Sequence, residues 1–486
     1  MKTGSLISID FGTSNTSIVS VMRDEHGEKV AILGEDGEFP FASLLAISNE
    51  NKLFFGNKVR KSRDQLEESC RLVASFKSLL GTNECISVNG KEISPTQLTS
   101  EYFKCLKRVI QKKFNIDIKE AAFSFPVDFS PEARQDLVNA AEKADIKVRG
   151  MVSESTAAYM AVRDKLKGKS RVMVVDWGGG TLDISIIETE GNRICESSVY
   201  GEKVGGDDID LALAKRVHAL LGDKMEDKSG LCEFDEMPSA ERDKMLSAAE
   251  RAKIQLSEDG EQYPLTIRDY GNYGTKTVFI TNEMFTEMIK PIIKDRVLAS
   301  INTALERAGV SVADIDAVVI AGGSSYLRPY ADAMLNLFGE SRIVLPEKLQ
   351  FVSAIGAASA LFAEGKFRLS EDVGILMSDE SVYPLLHKDD DGVGSQSAVC
   401  SFSLVEDAPE ARIIVANGSG RTVFKRVEVP TKGFLTERLE VSAKIDETQV
   451  AVFTVHNSSV PDQSKDTVFK VNGLTFYYDL TNKSEG

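Results

Sequence analysis

Two distant stretches of this chain repeat one pattern, and that repeat constrains the fold more than anything else in the sequence. In residues 5–22 the apolar Leu6, Ile7 and Ile9 run into Asp10-Phe11-Gly12-Thr13-Ser14-Asn15 and re-emerge as Ile18, Val19 and Val21. In residues 172–188 Val172-Met173-Val174-Val175 run into Asp176-Trp177-Gly178-Gly179-Gly180-Thr181 and re-emerge as Leu182-Asp183-Ile184-Ser185-Ile186-Ile187. Each reads as two strands joined by a tight polar turn, a β-hairpin. Two copies of the unit read as an internal duplication.

The chemistry of the unit is that of a phosphate cradle. A strand that ends in Asp and turns through glycines and a hydroxyl residue sets backbone N–H groups around an anion, because glycine permits close approach and positive φ. Asp10 with Gly12, Thr13, Ser14 and Asn15 makes one half; Asp176 with Gly178, Gly179, Gly180, Thr181 and Asp183 makes the other. Facing each other, the hairpins would grip a polyphosphate between two lobes, and Asp10 and Asp176 would hold Mg²⁺, mostly through water as this hard cation prefers. One such hairpin alone reads equally as a sheet-edge turn; a matched pair with carboxylates at the same offset favours the phosphate reading. Two further glycine turns, Gly205-Gly206-Asp207-Asp208 before a helix and Gly322-Gly323-Ser324-Ser325 after a strand, suit nucleotide contact, although strand-to-helix turns also use glycine for geometry alone.

Helical periodicity over 97–113, 131–145, 239–257 and 328–338, with a strand at Ala317–Ile320, predicts an α/β body over residues 1–365. A polar connector with the acidic run Asp389–Asp391 marks residues 366–394 as a linker. Residues 395–486 offer only short strands, at 398–404, 412–416, 423–429, 439–445, 450–456, 467–471 and 474–478, which predicts a small all-β sandwich with no helical segment after it. The 74 acids against 58 bases give a net charge of −16, a field that repels phosphate backbones and anionic lipid, so nucleic acid and membrane are not expected partners. No signal-peptide core and no run of roughly 20 apolar residues occurs, so the expected compartment is the cytoplasm. Six scattered cysteines without a C-x-x-C and four separated histidines argue against a zinc site, a disulfide framework or a His-based triad.

These motifs carry a family resemblance. The chain resembles the ATPase of DnaK-type heat-shock chaperones, within the actin and sugar-kinase superfold, over about residues 5–362. Ile9 to Asn15 is similar to the family's first phosphate motif and Asp176 to Asp183 to its second. Val204 to Asp210 resembles the Gly-Gly-acid-Asp segment, Ala321 to Ser325 the adenosine motif, and Phe76-Lys77-Ser78-Leu79-Leu80-Gly81 sits where the family carries its catalytic lysine. The resemblance implies a two-lobed actin-like ATPase binding ATP or ADP with Mg²⁺ and hydrolysing ATP slowly. Lys77 would then steady the attacking water and γ-phosphate, Thr181 would lie against the γ-phosphate, and Glu154 and Asp183 would organise metal and water. A fixed cation at this place offsets charge developing on the transferring phosphoryl group. Pro126 and Arg134 match the pair that relays nucleotide state between domains. The implied partners are unfolded peptide or a protein client, with a J-domain co-chaperone and a nucleotide exchange factor. A small-molecule kinase acting on a sugar or carboxylate, with Glu154 or Asp183 as base, and a nucleotide-gated scaffold are the rival readings on the same superfold.

The sequence departs from the family where the adenine ring should sit. Glu250-Arg251-Ala252-Lys253 is followed by Ile254, and Gly323-Ser324-Ser325 by Tyr326, where the family stacks the base between two arginines. Ser155 replaces a proline after Glu154, Gln350 stands where an Asp is usual, and a leucine-rich linker is absent, with only Ile375, Leu376 and Met377 to take its place. The 395–486 region resembles a shortened peptide-binding sandwich lacking the helical lid, so any peptide held there should leave quickly. Ile254 and Tyr326 can sandwich a purine, but the cation–π share of about 0.5–2 kcal/mol per contact is lost. ATP titration should therefore show weaker binding than a typical member, and restoring arginine at 254 and 326 should tighten it; very tight binding by the unmodified chain would contradict this.

Overall fold

The computed structural model describes residues 4–24, 27–35, 37, 39–66, 69–127, 129–223, 232–258, 260–363, 366–446, 448–459 and 466–480. Its backbone forms two compact units, one of Met1–Phe129, Asn139–Ile187 and Ser197–Ala360, the other of Ser130–Val138, Glu188–Glu196 and Leu361–Gly486.

The first unit contains the duplicated body. In its first half, strand Gly4–Phe11 pairs antiparallel with Asn15–Asp24, setting Ile9 opposite Ile18 and Asp10 opposite Ser17. On its other side it runs parallel to Glu120–Phe125, with Asp10 opposite Ser124, and that strand runs parallel to Lys147–Ser153. Helix Pro95–Phe114, whose Phe103 packs on Phe11 and Phe123 of this sheet, starts on an N-cap: Ser94 accepts from the Gln97 amide at 3.2 Å and Pro95 takes the first turn. Phe103 from this helix meets Phe11 edge-on, 5.2 Å between centroids. In the second half, strand Arg171–Trp177 runs parallel to Ala317–Ala321, with Asp176 opposite Ala321. Strand Leu182–Glu190 returns from the turn. Trp177 is fully buried with its ring 5.0 Å from Tyr330, so it packs the core rather than facing a ligand, as its apolar position implies.

The halves cross at a pair of helices, Glu154–Val162 and Val352–Phe362. A Cβ built on Gly356 would collide with the Ala157 carbonyl, so the two backbones touch there. The same crossing fixes Glu154, whose helix begins on the Ser153 cap.

The second unit is dominated by two four-stranded antiparallel sheets. One is ordered Val382–Leu386, Val373–Leu376, Glu410–Asn417, Val423–Pro430; the other Cys400–Ser403, Arg438–Ile445, Ala451–Asn457, Thr467–Val471. Their inward residues form one apolar core around Phe453 and Phe469, stacked at 5.6 Å. The sequence expectation of a linker over 366–394 is corrected by three strands in that stretch, Lys366–Leu369, Val373–Leu376 and Val382–Leu386. Val373 and Ile375 alternate inward and are buried, so Ile375 is a core residue and not part of a free apolar connector. The final strand, Phe476–Asp479, joins neither sheet of the pair; it pairs antiparallel with Lys366–Leu369 and with Arg193–Cys195.

Gly356→Ala should force the helices apart or strain both. The expected cost is about 1–3 kcal/mol, larger for Gly356→Val, read as a fall in the denaturation midpoint of the full chain. An unchanged midpoint would show that the crossing is loose.

Candidate functional site

The two Asp-bearing turns are built by the same hydrogen bond. Gly12 N–H donates to the Asn15 carbonyl at 2.9 Å and Gly178 N–H to the Thr181 carbonyl at 2.9 Å. Side chains are excluded where the turns meet: a Cβ on Gly12 would strike the Asn15 carbonyl, one on Gly179 would strike the Ser14 hydroxyl, and one on Gly180 would come within 3.2 Å of Thr13. The tips therefore face each other at contact distance, as the duplicated motif implies. The other two glycine turns join them. Gly206 N–H reaches the Gly178 carbonyl at 3.1 Å and Asp207 N–H the Gly179 carbonyl at 2.7 Å. The Ser324 hydroxyl donates to the Gly178 carbonyl at 2.7 Å. Gly322 adopts φ 82°, and a Cβ there would strike the Trp177 carbonyl and lie 2.5 Å from Asp176 Oδ1. Positive φ and this close approach both require glycine.

Lys77 lies in the short helical turn Phe76–Leu79, entered through Ser75 in the left-handed conformation at φ 52°. Its ammonium is buried, donates to Glu154 Oε1 at 3.2 Å and sits 5.7 Å from the Phe129 ring centre. Burial alone would lower its pKa, but Glu154, Asp10 and Asp183 together raise it above the ordinary lysine value. The carboxylates around it shift the other way. Burial raises Asp10 despite Lys77 and a 2.7 Å hydrogen bond from Ser124. Burial and the neighbouring Asp10 push Asp176 up to about 7. Burial raises Glu154 well above the usual range, opposed by Lys77 and reinforced by Asp10, Asp176 and Asp183. Asp10, Lys77, Glu154, Asp176 and Asp183, named separately from the sequence, thus act on one another electrostatically. Behind them Ser155, at the family's proline position, is fully buried and accepts from the Ser185 hydroxyl at 2.7 Å.

The expected adenosine residues lie on the helix Ser239–Glu258 and the turn Gly323–Tyr326. Ile254 and Tyr326 are 41% and 50% exposed, surfaces available to an apolar ring. Arg328, two residues past Tyr326, donates to the Glu258 carbonyl at 3.2 Å. Lys253 is held by Asp210 at 2.7 Å and the Gly206 carbonyl at 3.0 Å. Burial and Glu250 raise Asp210 to about 7 against the pull of Lys253.

Glu250 shows what the sequence reading missed. Arg60 lies 3.6 Å and Arg63 3.8 Å from its carboxylate, and with Lys253 they hold its pKa below the ordinary value although burial pushes upward. Arg60 also donates to the Asn15 side chain and the Ser14 carbonyl, both at 3.0 Å. Arg63 and Glu250 are thus paired charges, not freely solvated ones on exposed helix faces. Ser75 and Ser14 add a second tie by donating to Asp207 at 3.1 and 3.4 Å. The only available signal was position: Arg60 and Ser75 flank motifs without belonging to them. Pro126 closes strand Glu120–Phe125 in the first unit, its carbonyl accepting from Phe129 N–H at 3.0 Å. Arg134, in the second unit, donates to the Thr448 carbonyl at 2.8 Å.

A duplicated α/β body with paired Asp-glycine turns, followed by β-rich chain, has the architecture of the actin-like ATPase superfold with an appended β domain. The chain belongs to the Hsp70 family: the family model described as Hsp70 protein matches residues 81–361. It is 28% identical over 361 residues to a protein named Chaperone protein DnaK from Mycoplasmopsis agalactiae, an alignment covering 73% of this chain and 58% of that protein. Among the described residues no helix is long and apolar enough to cross a membrane.

The Asp176 shift sets a pH dependence. Its folded value of about 7 exceeds the ordinary 3.8, so between these values the folded chain binds more protons than the unfolded one. The group's contribution to stability is complete below about 4 and is lost as pH rises through about 7. Without nucleotide, Asp176→Asn should therefore gain stability over the parent chain on going from about pH 5 to about pH 8, on the order of 2–4 kcal/mol. Denaturant melts of both proteins at the two pH values check this; a pH-independent difference would contradict it.

Proposed function

We propose that this chain is a Mg²⁺-dependent ATPase whose nucleotide state controls its hold on unfolded polypeptide or a protein partner. The observation that carries the reading is the convergence of two identically built glycine turns on a buried Lys77 surrounded by Asp10, Glu154, Asp176 and Asp183. The donor set fits the metal: oxygen ligands suit Mg²⁺, and burial raises the cost of ionising both Asp10 and Asp176, with Asp10 adding to the cost at Asp176, which a cation near both would relieve. Asp10 and Asp176 would hold it, and Mg²⁺ would supply positive charge that offsets that of the phosphates.

The chain's own groups supply the rest. Backbone N–H groups of the glycine turns bind and orient the phosphates, with no side chain at Gly179 or Gly180 to keep them away. Lys77 brings a fixed positive charge to the γ-phosphate, and its raised pKa keeps it protonated throughout the physiological range. Glu154, tied to Lys77 and capped in place on its helix, orients the attacking water. Thr181 lies at the foot of the second turn, and Asp183, buried two residues on, adds negative charge that keeps Lys77 ionised. Ile254 and Tyr326 provide the surfaces for the base. The second unit's paired sheets, with edge strands Cys400–Ser403 and Thr467–Val471, offer backbone for an extended peptide. Co-chaperone and exchange-factor partnership, and a cytoplasmic setting, follow from family membership as part of the same proposal.

The test is ATP turnover by the full chain and by Lys77→Ala, with and without an unstructured peptide. Lys77→Ala should lose about 10²–10³-fold in hydrolysis while still binding ADP, and peptide should raise the parent's rate. Turnover that appears only with a sugar or carboxylate acceptor would replace this reading with a kinase, and nucleotide-driven assembly without peptide stimulation would replace it with a scaffold.

A further inference from the structure

The helix that begins at Asn282 is interrupted. It carries Pro291 inside Asn282–Ile292, passes through a π-helical turn at Ile293–Leu298 and continues as Ala299–Ala308. A π turn holds an extra residue and so rotates everything after it by about 100° relative to an uninterrupted α-helix. Such turns are uncommon and persist where the surroundings hold them.

What holds this one is Glu202, the last residue of strand Arg193–Glu202. Arg296, inside the π turn, donates from Nε to Glu202 Oε1 and from Nη2 to the Lys203 carbonyl at 3.2 Å. Ser300, one turn on and buried, lies against Glu202 Oε2 and 2.7 Å from the Arg296 carbonyl. Both carboxylate oxygens of Glu202 are therefore engaged by a single helix. Two residues further along the chain the Val204 carbonyl accepts from Trp177 Nε1 at 3.2 Å. Gly205 follows, its amide donating to Asp208 Oδ2 at 2.8 Å, and then Gly206 and Asp207, whose amides grip the second phosphate turn through the Gly178 and Gly179 carbonyls.

We infer that Glu202, Arg296 and Ser300 form a strut that positions the Gly205–Gly206 turn against the second phosphate turn and so sets how long nucleotide stays bound. None of the three belongs to the glycine turns; they act through the segment 203–207, which is pinned by the strut on one side and by Trp177 on the other. The π turn supplies the register that lets Arg296 and Ser300 reach one carboxylate together. Sequence motifs did not reveal this, because the helix is remote in the chain and Glu202 precedes the glycine pair. The inference rests on the nucleotide-binding reading above.

The experiment is dissociation of a fluorescent ADP from the full chain, chased with unlabelled ADP, for the parent, Arg296→Ala, Glu202→Gln, Ser300→Ala and the Glu202→Gln/Arg296→Ala double variant. Each of the first two should speed dissociation about five- to thirty-fold. The double variant should be no faster than the faster single, since both remove one strut. Ser300→Ala, the mildest change, should show a smaller increase and keeps the test open if a charged-residue variant fails to fold. A merely structural role would lower the nucleotide-free melting midpoint while leaving dissociation within about two-fold of the parent; that result, or effects that multiply in the double variant, overturns the strut. Failure of the parent chain to bind the fluorescent ADP at all would instead overturn the nucleotide reading, and the strut with it.

Discussion

One buried ammonium, that of Lys77, stands against four carboxylates, and much of the first unit follows from keeping it there. An isolated charge in such a place is too costly to persist, so it must be paired and its partners fixed. Glu154 gives the direct contact at 3.2 Å, while Asp10 and Asp183 act on the ammonium from further away. The carboxylates still outnumber the ammonium, and burial, joined at Glu154 and Asp176 by neighbouring carboxylates, raises Asp10, Glu154 and Asp176. A positive charge placed near such carboxylates lowers their cost of ionisation. The charge excess is thus a property that the fold maintains, not a defect that it tolerates.

The duplication explains how two halves converge on one point. Each half ends a central strand in Asp, flanks it with a parallel neighbour and turns through glycine closed by the same 2.9 Å hydrogen bond. The halves then diverge where they serve different ends. Opposite Asp10 lies Ser124, which hydrogen-bonds it; opposite Asp176 lies Ala321, which cannot, and Gly322 follows to let the backbone pass beside the carboxylate. Lys77 comes from the first half alone, so the symmetry of the frame carries an asymmetric charge.

Much of this was legible in the sequence, and the reasons are local. Glycine turns with Asp at fixed offset define their own geometry, so the hairpins, their contact and the glycine pairs at 205–206 and 322–323 could be read directly. The strands of the β region were visible because period-2 alternation matches an inward face, as at Val441, Ala443 and Ile445. Residues 366–394 were misread because polar and acidic turn residues sit between very short strands, masking the alternation of Val373 and Ile375. Arg60, Ser75 and Arg296 were invisible for a different reason: each works across a long sequence separation, and one charged residue carries no pattern. The Glu202 bonds also depend on a π turn, which no periodicity of the sequence marks.

The way the two halves of the first unit are joined differs from the way each is built. Inside a half, the ties are apolar and dense, with Trp177 on Tyr330 and Phe11 on Phe103, burial that is lost only on unfolding. Between halves, the helices meet backbone to backbone at Gly356 and Ala157, while across the turns the ties are Arg60 and Arg63 on Glu250 and Ser14 and Ser75 on Asp207. Partly exposed polar ties of this kind contribute about 0.5–1.5 kcal/mol each and exchange with water. A glycine contact that admits no side chain resists sliding but permits rotation about itself, whereas the polar ties can break one at a time. The ties across the turns are therefore the ones that can exchange with water one at a time while both apolar cores stay intact.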